Sequence, residues 1–322
     1  MKLFNKTFAV KISVLILFVT SICFGKGYNV FETDNDSLEV RKNSFSFFVI
    51  GDWGRNGLFN QKEVADQMDS VAAKMKPAFV ATTGDNIYDN GVKDVDDPLW
   101  ISSFENVYNG EHLLIDWYAT LGNHDYRSNA QAQIDYSQKN KRWNMPARYY
   151  SFERKITDGK EKALFVFIDS DQFEKNYYKD PGYGDLPKQD PQKEINWLDS
   201  VLTVSDADWK FVFGHHHVYT GGMRKGKLSE TKEVLEPILK KHNVNVYFCG
   251  HEHDLQYIKP EGKTSYVISG AGSALRETGY LPTTKFAAST QGFCAVSVSD
   301  YDLLLQMIDY KGNVIYKTTI PR

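Results

Sequence analysis

Residues 47–54 read Phe-Phe-Val-Ile-Gly-Asp-Trp-Gly: four apolar residues suited to a buried strand, a glycine, and an acid where that strand would end. Residues 79–85, Phe-Val-Ala-Thr-Thr-Gly-Asp, repeat the order, and between the two stretches Val64, Met68, Val71 and Met75 recur at helical spacing. Strand, helix, strand implies a parallel pair joined by a crossover helix. Three more apolar runs end the same way: residues 117–122 before Asn123, 211–214 before His215, and 246–250 before His251. Glycine lets a chain turn sharply and lets neighbours come close. Strands ending on one sheet edge can bring their following residues to one point, so five junctions followed by Asp, Asn or His point to a single multinuclear metal centre.

Outward from these junctions the pattern keeps alternating. Helices are expected over 98–108, 191–202 and 230–242, the last with Val234, Leu235, Ile238 and Leu239 on one face. Strands are expected at 163–168, 209–213 and 244–249. Beyond residue 264 only strands follow, at 266–269, 293–298, 303–308 and 314–318, with turns at Asp300-Tyr301 and Lys311-Gly312-Asn313. The expected class is α/β, with two facing mixed β-sheets flanked by helices in an α-β-β-α sandwich. Residues 171–190 break the pattern with tyrosines, lysines, Pro181, Gly182, Gly184 and Pro187. So long a loop in a compact domain is usually functional or mobile, and it is a candidate cover for the site.

The chain has 322 residues, 42% of them hydrophobic, and no compositional break after residue 45, so 26–322 is expected to form a single catalytic domain. Lys2, Lys6 and Lys11 precede the apolar residues 12–22, and small residues follow at 21–25. That stretch is too short to cross ~30 Å of hydrocarbon and has the layout of a secretory signal over 1–25, so export is expected, with no membrane span left after cleavage. Its removal takes three lysines and no acid, moving the formal charge from −3 to −6. A basic nucleic-acid surface is not indicated. Cys249 and Cys294 then remain, each inside an apolar run, which excludes a disulfide framework and leaves one bridge between them open. The 14% aromatic content falls mostly in strand-like runs and reads as core.

In full, the junctions are Gly51-Asp52-Trp53-Gly54, Gly84-Asp85-Asn86-Ile87-Tyr88, Gly122-Asn123-His124-Asp125, Gly214-His215 and Gly250-His251-Glu252-His253. Their order resembles the metallophosphoesterase superfamily, and within it the purple acid phosphatases of the small tartrate-resistant type. The wider superfamily usually carries His two residues after the first Asp, where this chain has Gly54. Tyr88, three residues after Asp85, is the feature that marks the purple enzymes. The resemblance covers residues 45–322 and implies iron(III) held by Asp52, Tyr88, His253 and a bridging Asp85. It implies a divalent ion, Fe, Zn or Mn, held by Asp85, Asn123, His215 and His251. Phenolate and carboxylate suit a hard trivalent ion and imidazole a divalent one. Three anionic ligands and one hydroxide against these ions leave about one positive charge, which attracts phosphate without any arginine.

The activity so implied is that of an exported acid phosphatase, a hydrolase of phosphate monoesters, with the ions polarising the phosphoryl group and supplying a hydroxide for in-line attack. His124 is placed as general acid for the leaving oxygen. Asp125 either orients that imidazole or fixes the loop. The expected partners are small phosphorylated substrates, nucleotides or phosphoproteins among them, and a monomer is expected. Two readings compete: a phosphodiesterase or nucleotidase on the same centre, and a metal- or phosphate-binding protein without turnover.

Singly, Asp52 and Asp85 read as turn or cap residues, Tyr88 as a half-buried aromatic, and Asn123 as a turn residue. Their shared order outweighs those readings. On an extended strand His251 and His253 share a face while Glu252 points away; by the same rule His216 turns outward from His215, and His217 backs the ligands. Mammalian-type enzymes carry a Glu-His pair near the substrate, where this chain reads Tyr219-Thr220-Gly221-Gly222-Met223-Arg224. Arg224 or Lys225 then either contacts substrate or is a solvated charge.

Overall fold

β1 (Phe45–Ile50), α1 (Gln61–Met75) and β2 (Phe79–Thr82) form the expected parallel crossover, with Phe48 paired to Val80 and Ile50 to Thr82. The computed structural model describes residues 37–159, 161–227 and 229–322, so the secretory signal expected over 1–25 lies outside the described residues. β3 (Asp116–Tyr118) and β4 (Trp143–Asn144) extend the sheet in parallel beyond β2. On the other side of β1, antiparallel β12 (Gly292–Val298), β13 (Asp302–Asp309) and β14 (Val314–Pro321) complete seven strands.

The second sheet also has seven strands, in the order β11-β9-β10-β8-β7-β6-β5. They are β5 (Tyr150–Lys155), β6 (Lys162–Phe167), β7 (Trp209–Phe213), β8 (Val246–Cys249), β9 (Leu255–Ile258), β10 (Ser265–Ser269) and β11 (Thr284–Ala288). β6, β7, β8 and β10 run parallel, while β5, β9 and β11 are antiparallel to their neighbours. The architecture is the two-sheet α/β sandwich expected.

Strand alternation decides what each sheet buries. Phe47 faces the other sheet, its ring centroid 5.5 Å from Phe165, 5.6 Å from Phe211, and 6.1 Å from both Phe213 and Phe248. The aromatic richness is therefore inter-sheet core, where ring pairs add to area burial. On the far side of the second sheet, α3 (Pro191–Val204) and α4 (Glu230–Lys241) bury Leu198, Leu202, Leu235 and Leu239 in a second core with Val212, Tyr247 and Ile268. Asp190 caps α3 by accepting from the amides of Gln192 and Lys193, and Ser229 caps α4 through the Lys232 amide.

Several elements depart from expectation. Within 98–108 only Trp100–Glu105 winds, as one π-type turn. Trp100 stacks on Tyr136 at 3.6 Å and Phe104 lies 5.3 Å from Trp143, so this wider turn buries both large rings. The helix α2 (Ala130–Lys139) was not expected, because its buried face is only Ala130, Ala132, Gln133 and Tyr136. Residues 171–190 carry short 3₁₀ turns at Tyr177–Lys179, Pro181–Tyr183 and Leu186–Lys188. Cys249 and Cys294 are both free and buried: Cys249 packs in the outer core with α3 and α4, and Cys294 in the core that holds Phe47.

Beneath the loop lies a buried carboxyl network without a sequence signal. The Asp169 amide donates to Glu194 Oε1 at 2.7 Å, Gln172 donates to Asp169 Oδ2 at 3.1 Å, and Tyr126 donates to the same oxygen. Glu194 Oε2 has no partner, and burial, reinforced by Asp169, pushes this carboxyl well above its ordinary value near 4.5. Above that ordinary value the unfolded chain releases a proton that the folded chain keeps, so stability falls as pH rises, by up to about 1.4 kcal/mol per pH unit. Glu194→Gln is expected to flatten that fall. Urea midpoints between about pH 5 and pH 7 measure it, and an unchanged slope refutes the assignment.

Candidate metal centre

Three of the glycine junctions deliver their polar residue in the left-handed region: Asp52 at φ 56°, Asp85 at 48° and His251 at 67°. Such backbone is strained for residues other than glycine and is retained where surrounding structure over-determines it. Asp52 and Asp85 point into the gap between the strand ends, and both are buried.

Four groups meet on one side of that gap. The Tyr88 hydroxyl donates toward Asp85 Oδ2 at 2.8 Å and lies 3.0 Å from Asp52 Oδ1 and 3.3 Å from His253 Nε2. His253 Nδ1 is held by the Ala274 carbonyl at 2.9 Å, which leaves Nε2 facing the group. On the other side, His215 Nε2 lies 3.2 Å from Asn123 Oδ1, 3.1 Å from His251 Nδ1 and 3.5 Å from Asp85 Oδ1. Asp85 thus turns one oxygen to each side. All seven residues expected as ligands converge, in the two groupings expected.

Gly54 explains how Tyr88 gets there. The first two junctions zip together as a parallel bridge between Gly54 and Ile87, and the Tyr88 amide donates to the Gly54 carbonyl at 2.8 Å. A Cβ at residue 54 would stand 2.0 Å from the Asn86 carbonyl oxygen, so no side chain fits. The place a histidine would occupy is closed by the contact that aims the tyrosine.

Electrostatics match the gathering of donors. Burial, then Asp52 and Asp85, hold the Tyr88 phenol well above its usual value. Burial opposes ionisation of Asp85, yet His215, His124 and hydrogen bonds outweigh it and leave this carboxyl below the usual range. Among the described residues no Lys or Arg lies within ion-pair distance of Asp52 or Asp85; their ionic neighbours are histidines. Buried carboxylates need a compensating charge. Two cations seated among these oxygen and imidazole donors would supply it, so the residues fit the metals.

His124 stands at the mouth, half-buried, its ring centroid 4.5 Å from that of Tyr88 and its Nε2 3.9 Å from Asp85 Oδ2. Burial lowers its pKa, with Asp85 working the other way. Asp125 fixes the loop instead of orienting that ring: it accepts from the amides of Asn86, Ile87 and Gly122 and from Gln133 Nε2 at 2.7 Å. Burial, then Asp85, pushes its carboxyl up to about 7.

Strand alternation fails beyond Gly214 and Gly250, where the chain has left β7 and β8. His216 is accordingly not outward but buried, its Nδ1 2.9 Å from Ser170 Oγ, its Nε2 2.9 Å from the Tyr177 hydroxyl, and its ring 4.4 Å from that of His251. With both nitrogens engaged it backs the pair His215 and His251. Glu252 turns off the centre yet is buried, accepting from the Arg224 amide at 2.8 Å. Residues 171–190 do cover the side of the centre formed by His215, His251 and Asn123: Tyr177 holds His216, Tyr183 reaches Arg127 and Asn123, and the two tyrosine rings stack at 4.3 Å.

Three arginines stand around the centre. The Arg55 guanidinium lies 3.6 Å over the Tyr88 ring and pairs with Asp89 at 2.9 Å. Arg224 Nη1 and Arg276 Nη1 both donate to the His251 carbonyl, at 2.8 and 3.1 Å. Arg224 is therefore not simply a solvated charge, while Lys225 is exposed and donates to the Tyr280 carbonyl. Arg55 follows Gly54 directly and was legible as a neighbour of the motif; Arg276 carries no local signal.

Comparison with known proteins agrees with this geometry. Residues 45–255 match the family model of calcineurin-like phosphoesterases. Purple acid phosphatase 4 of Arabidopsis thaliana is 36% identical, over 85% of this chain and 83% of its own length. The human tartrate-resistant acid phosphatase type 5 is 30% identical, over 86% of this chain and 90% of its own. Among solved structures, one described as GAP50, the anchor in the inner membrane complex of Plasmodium, superposes with a TM-score of 0.78 at 26% identity, covering 87% of this chain and 89% of that one. With the family model spanning most of the fold and such relatives aligned over most of their length, the chain belongs to the calcineurin-like phosphoesterases and, within them, to the purple acid phosphatases.

Proposed function

We propose that the chain is an exported acid phosphatase that hydrolyses phosphate monoesters at a binuclear centre, iron(III) beside a divalent ion. Asp52, Tyr88, His253 and Asp85 would hold the iron; Asp85, Asn123, His215 and His251 would hold the divalent ion. The observation that carries this reading is Asp85, one oxygen toward each donor group. Two such cations supply Lewis-acid polarisation of a phosphoryl group and a water acidic enough to attack it. Export rests on Lys2, Lys6 and Lys11 ahead of the apolar residues 12–22. No helix among the described residues is long and apolar enough to cross a membrane.

The chain's own part is to orient and to move a proton. With Nδ1 against the Asp89 carbonyl, the His124 ring presents Nε2 to the open side of the centre, within reach of a leaving oxygen. Protonated there, it gives that proton to the departing alkoxide. His124→Gln is expected to lower kcat by about 10²-fold on an alkyl phosphate and much less on p-nitrophenyl phosphate, whose leaving group needs no proton. An equal loss on both would remove the general-acid role.

Steady-state rates on a monoester, a diester and a nucleotide test the substrate class, and a clear diester preference overturns it. Two observations favour a second reading, a metal-binding protein without turnover: residues 219–224 lack the Glu-His pair, and the chain is similar in fold to a protein described as an anchor. That reading wins if the metal-loaded protein hydrolyses no ester.

A further inference from the structure

Gly54 fixes the residue after it as firmly as it fixes Tyr88. The Arg55 amide donates to the buried Gln61 Oε1 at 2.9 Å, and Gln61 Nε2 donates in turn to the Ser103 carbonyl at 2.8 Å. From that anchored backbone the Arg55 guanidinium reaches 3.6 Å from the centre of the Tyr88 ring, with the Phe59 ring 5.7 Å away. Nη1 pairs with Asp89 Oδ1 at 2.9 Å, while Nε is buried and has no hydrogen-bond partner.

An ordinary surface ion pair does not account for this arrangement. The Asp89 side chain is 76% exposed, and a pair of that kind contributes about 1 kcal/mol or less. A guanidinium with a buried, unpartnered nitrogen is compensated instead by the negative face of the ring beneath it. That ring carries the hydroxyl that meets Asp52, Asp85 and His253. The same arginine also reaches the proposed general acid: the Asp89 carbonyl accepts from His124 Nδ1, and the His124 ring lies 4.5 Å from that of Tyr88.

We propose that Arg55 is a positioning residue that ties Tyr88 and His124 into one unit. Its guanidinium holds the phenol ring in place and stabilises negative charge on it, and its pair with Asp89 holds the carbonyl that orients the imidazole. The proposal rests on the phosphatase reading of the centre. Arginine suits the task because its plane stacks while its fork pairs, two contacts that a lysine ammonium does not make together. Arg55 itself touches neither substrate nor ion and acts through Tyr88 and His124. Residues that orient metal ligands in this way carry about 10–100-fold in metal affinity or activity.

The experiment compares the metal-loaded wild type with Arg55→Met and Arg55→Lys by visible spectrum, metal content, and steady-state rates on an alkyl phosphate and on p-nitrophenyl phosphate. A positive charge against the phenolate lowers its donor orbitals more than those of a more distant iron. Arg55→Met is therefore expected to move the charge-transfer band to longer wavelength, and Arg55→Lys to return part of that shift. With metal content kept, kcat on the alkyl phosphate is expected to fall about tenfold in Arg55→Met, and less on p-nitrophenyl phosphate. On a His124→Gln background, Arg55→Met should leave the ratio of the two rates where His124→Gln alone puts it. If Arg55→Met folds poorly, Asp89→Asn, which keeps the carbonyl and weakens only the pair, is expected to show a smaller change of the same kind. A band or a rate ratio that stays unmoved overturns the proposal, as does an equal loss on both substrates with lost metal, the mark of a merely structural arginine. A wild type that is neither coloured nor active refutes the phosphatase reading and takes the proposal with it. A coloured, active wild type whose variants leave band and ratio unmoved refutes the proposal alone.

Discussion

Asp85→Ala is expected to abolish hydrolysis, with a fall in kcat/KM of about 10⁴-fold or more, equivalent to roughly 5.4 kcal/mol of transition-state stabilisation. Among the described residues no other carboxylate stands against donor side chains of both groups. Its Oδ2 stands 2.8 Å from the Tyr88 hydroxyl, its Oδ1 3.5 Å from His215 Nε2, and Oδ1 also receives the His124 amide at 2.7 Å. Truncation therefore removes a ligand from each proposed ion and releases the loop bearing Asn123 and His124. Substoichiometric metal by elemental analysis should accompany the lost rate. A variant that keeps two metals and ordinary activity would show that the donor groups are not bridged through this residue.

Gly54→Ala is expected to be nearly as damaging, though residue 54 touches no substrate. The added methyl would sit 2.0 Å from the Asn86 carbonyl oxygen, an unyielding backbone atom, so the bridge to Ile87 must open. Opening it withdraws the Gly54 carbonyl from the Tyr88 amide and lets the tyrosine leave Asp52 and Asp85. Overpacking at a rigid contact costs about 1–3 kcal/mol. Thermal unfolding measures that cost. The ligand set of the proposed iron should fail alongside it, read as a lower metal content at unchanged fold by circular dichroism. A variant with full stability and iron content would separate Gly54 from the positioning of Tyr88.

The five junctions were legible because each combines a local strand pattern with one conformational demand, and both are written in consecutive residues. Asp52, Asp85, Asn123, His215 and His251 follow the five glycines directly, His253 shares a face with His251, and Tyr88 is named only through the resemblance to the purple enzymes. The misjudged residues lie where the pattern stops. Strand alternation places His216 outward, yet it no longer governs once the chain has turned past Gly214, and His216 is buried behind His251; Glu252 does turn off the centre as alternation has it. Arg276 reaches the His251 carbonyl from a segment after β10, and the carboxyl network of Asp169 and Glu194 joins residues 25 positions apart. Such contacts depend on tertiary packing and leave no periodic trace. The fold itself was readable in those strands that are apolar runs, and less so in β4, β5, β9 and β11, which are short or carry charges, and in α2, whose inner face carries Gln133 among alanines.

The central claim is that Tyr88 completes an iron site in place of a histidine. Its most direct test is the visible spectrum of the purified, metal-loaded protein together with its iron content, in the wild type and in Tyr88→Phe. The wild type is expected to be coloured, with iron present and a tyrosinate-to-iron charge-transfer band that Tyr88→Phe abolishes. A colourless, iron-free wild type that still hydrolyses phosphate monoesters would contradict the account.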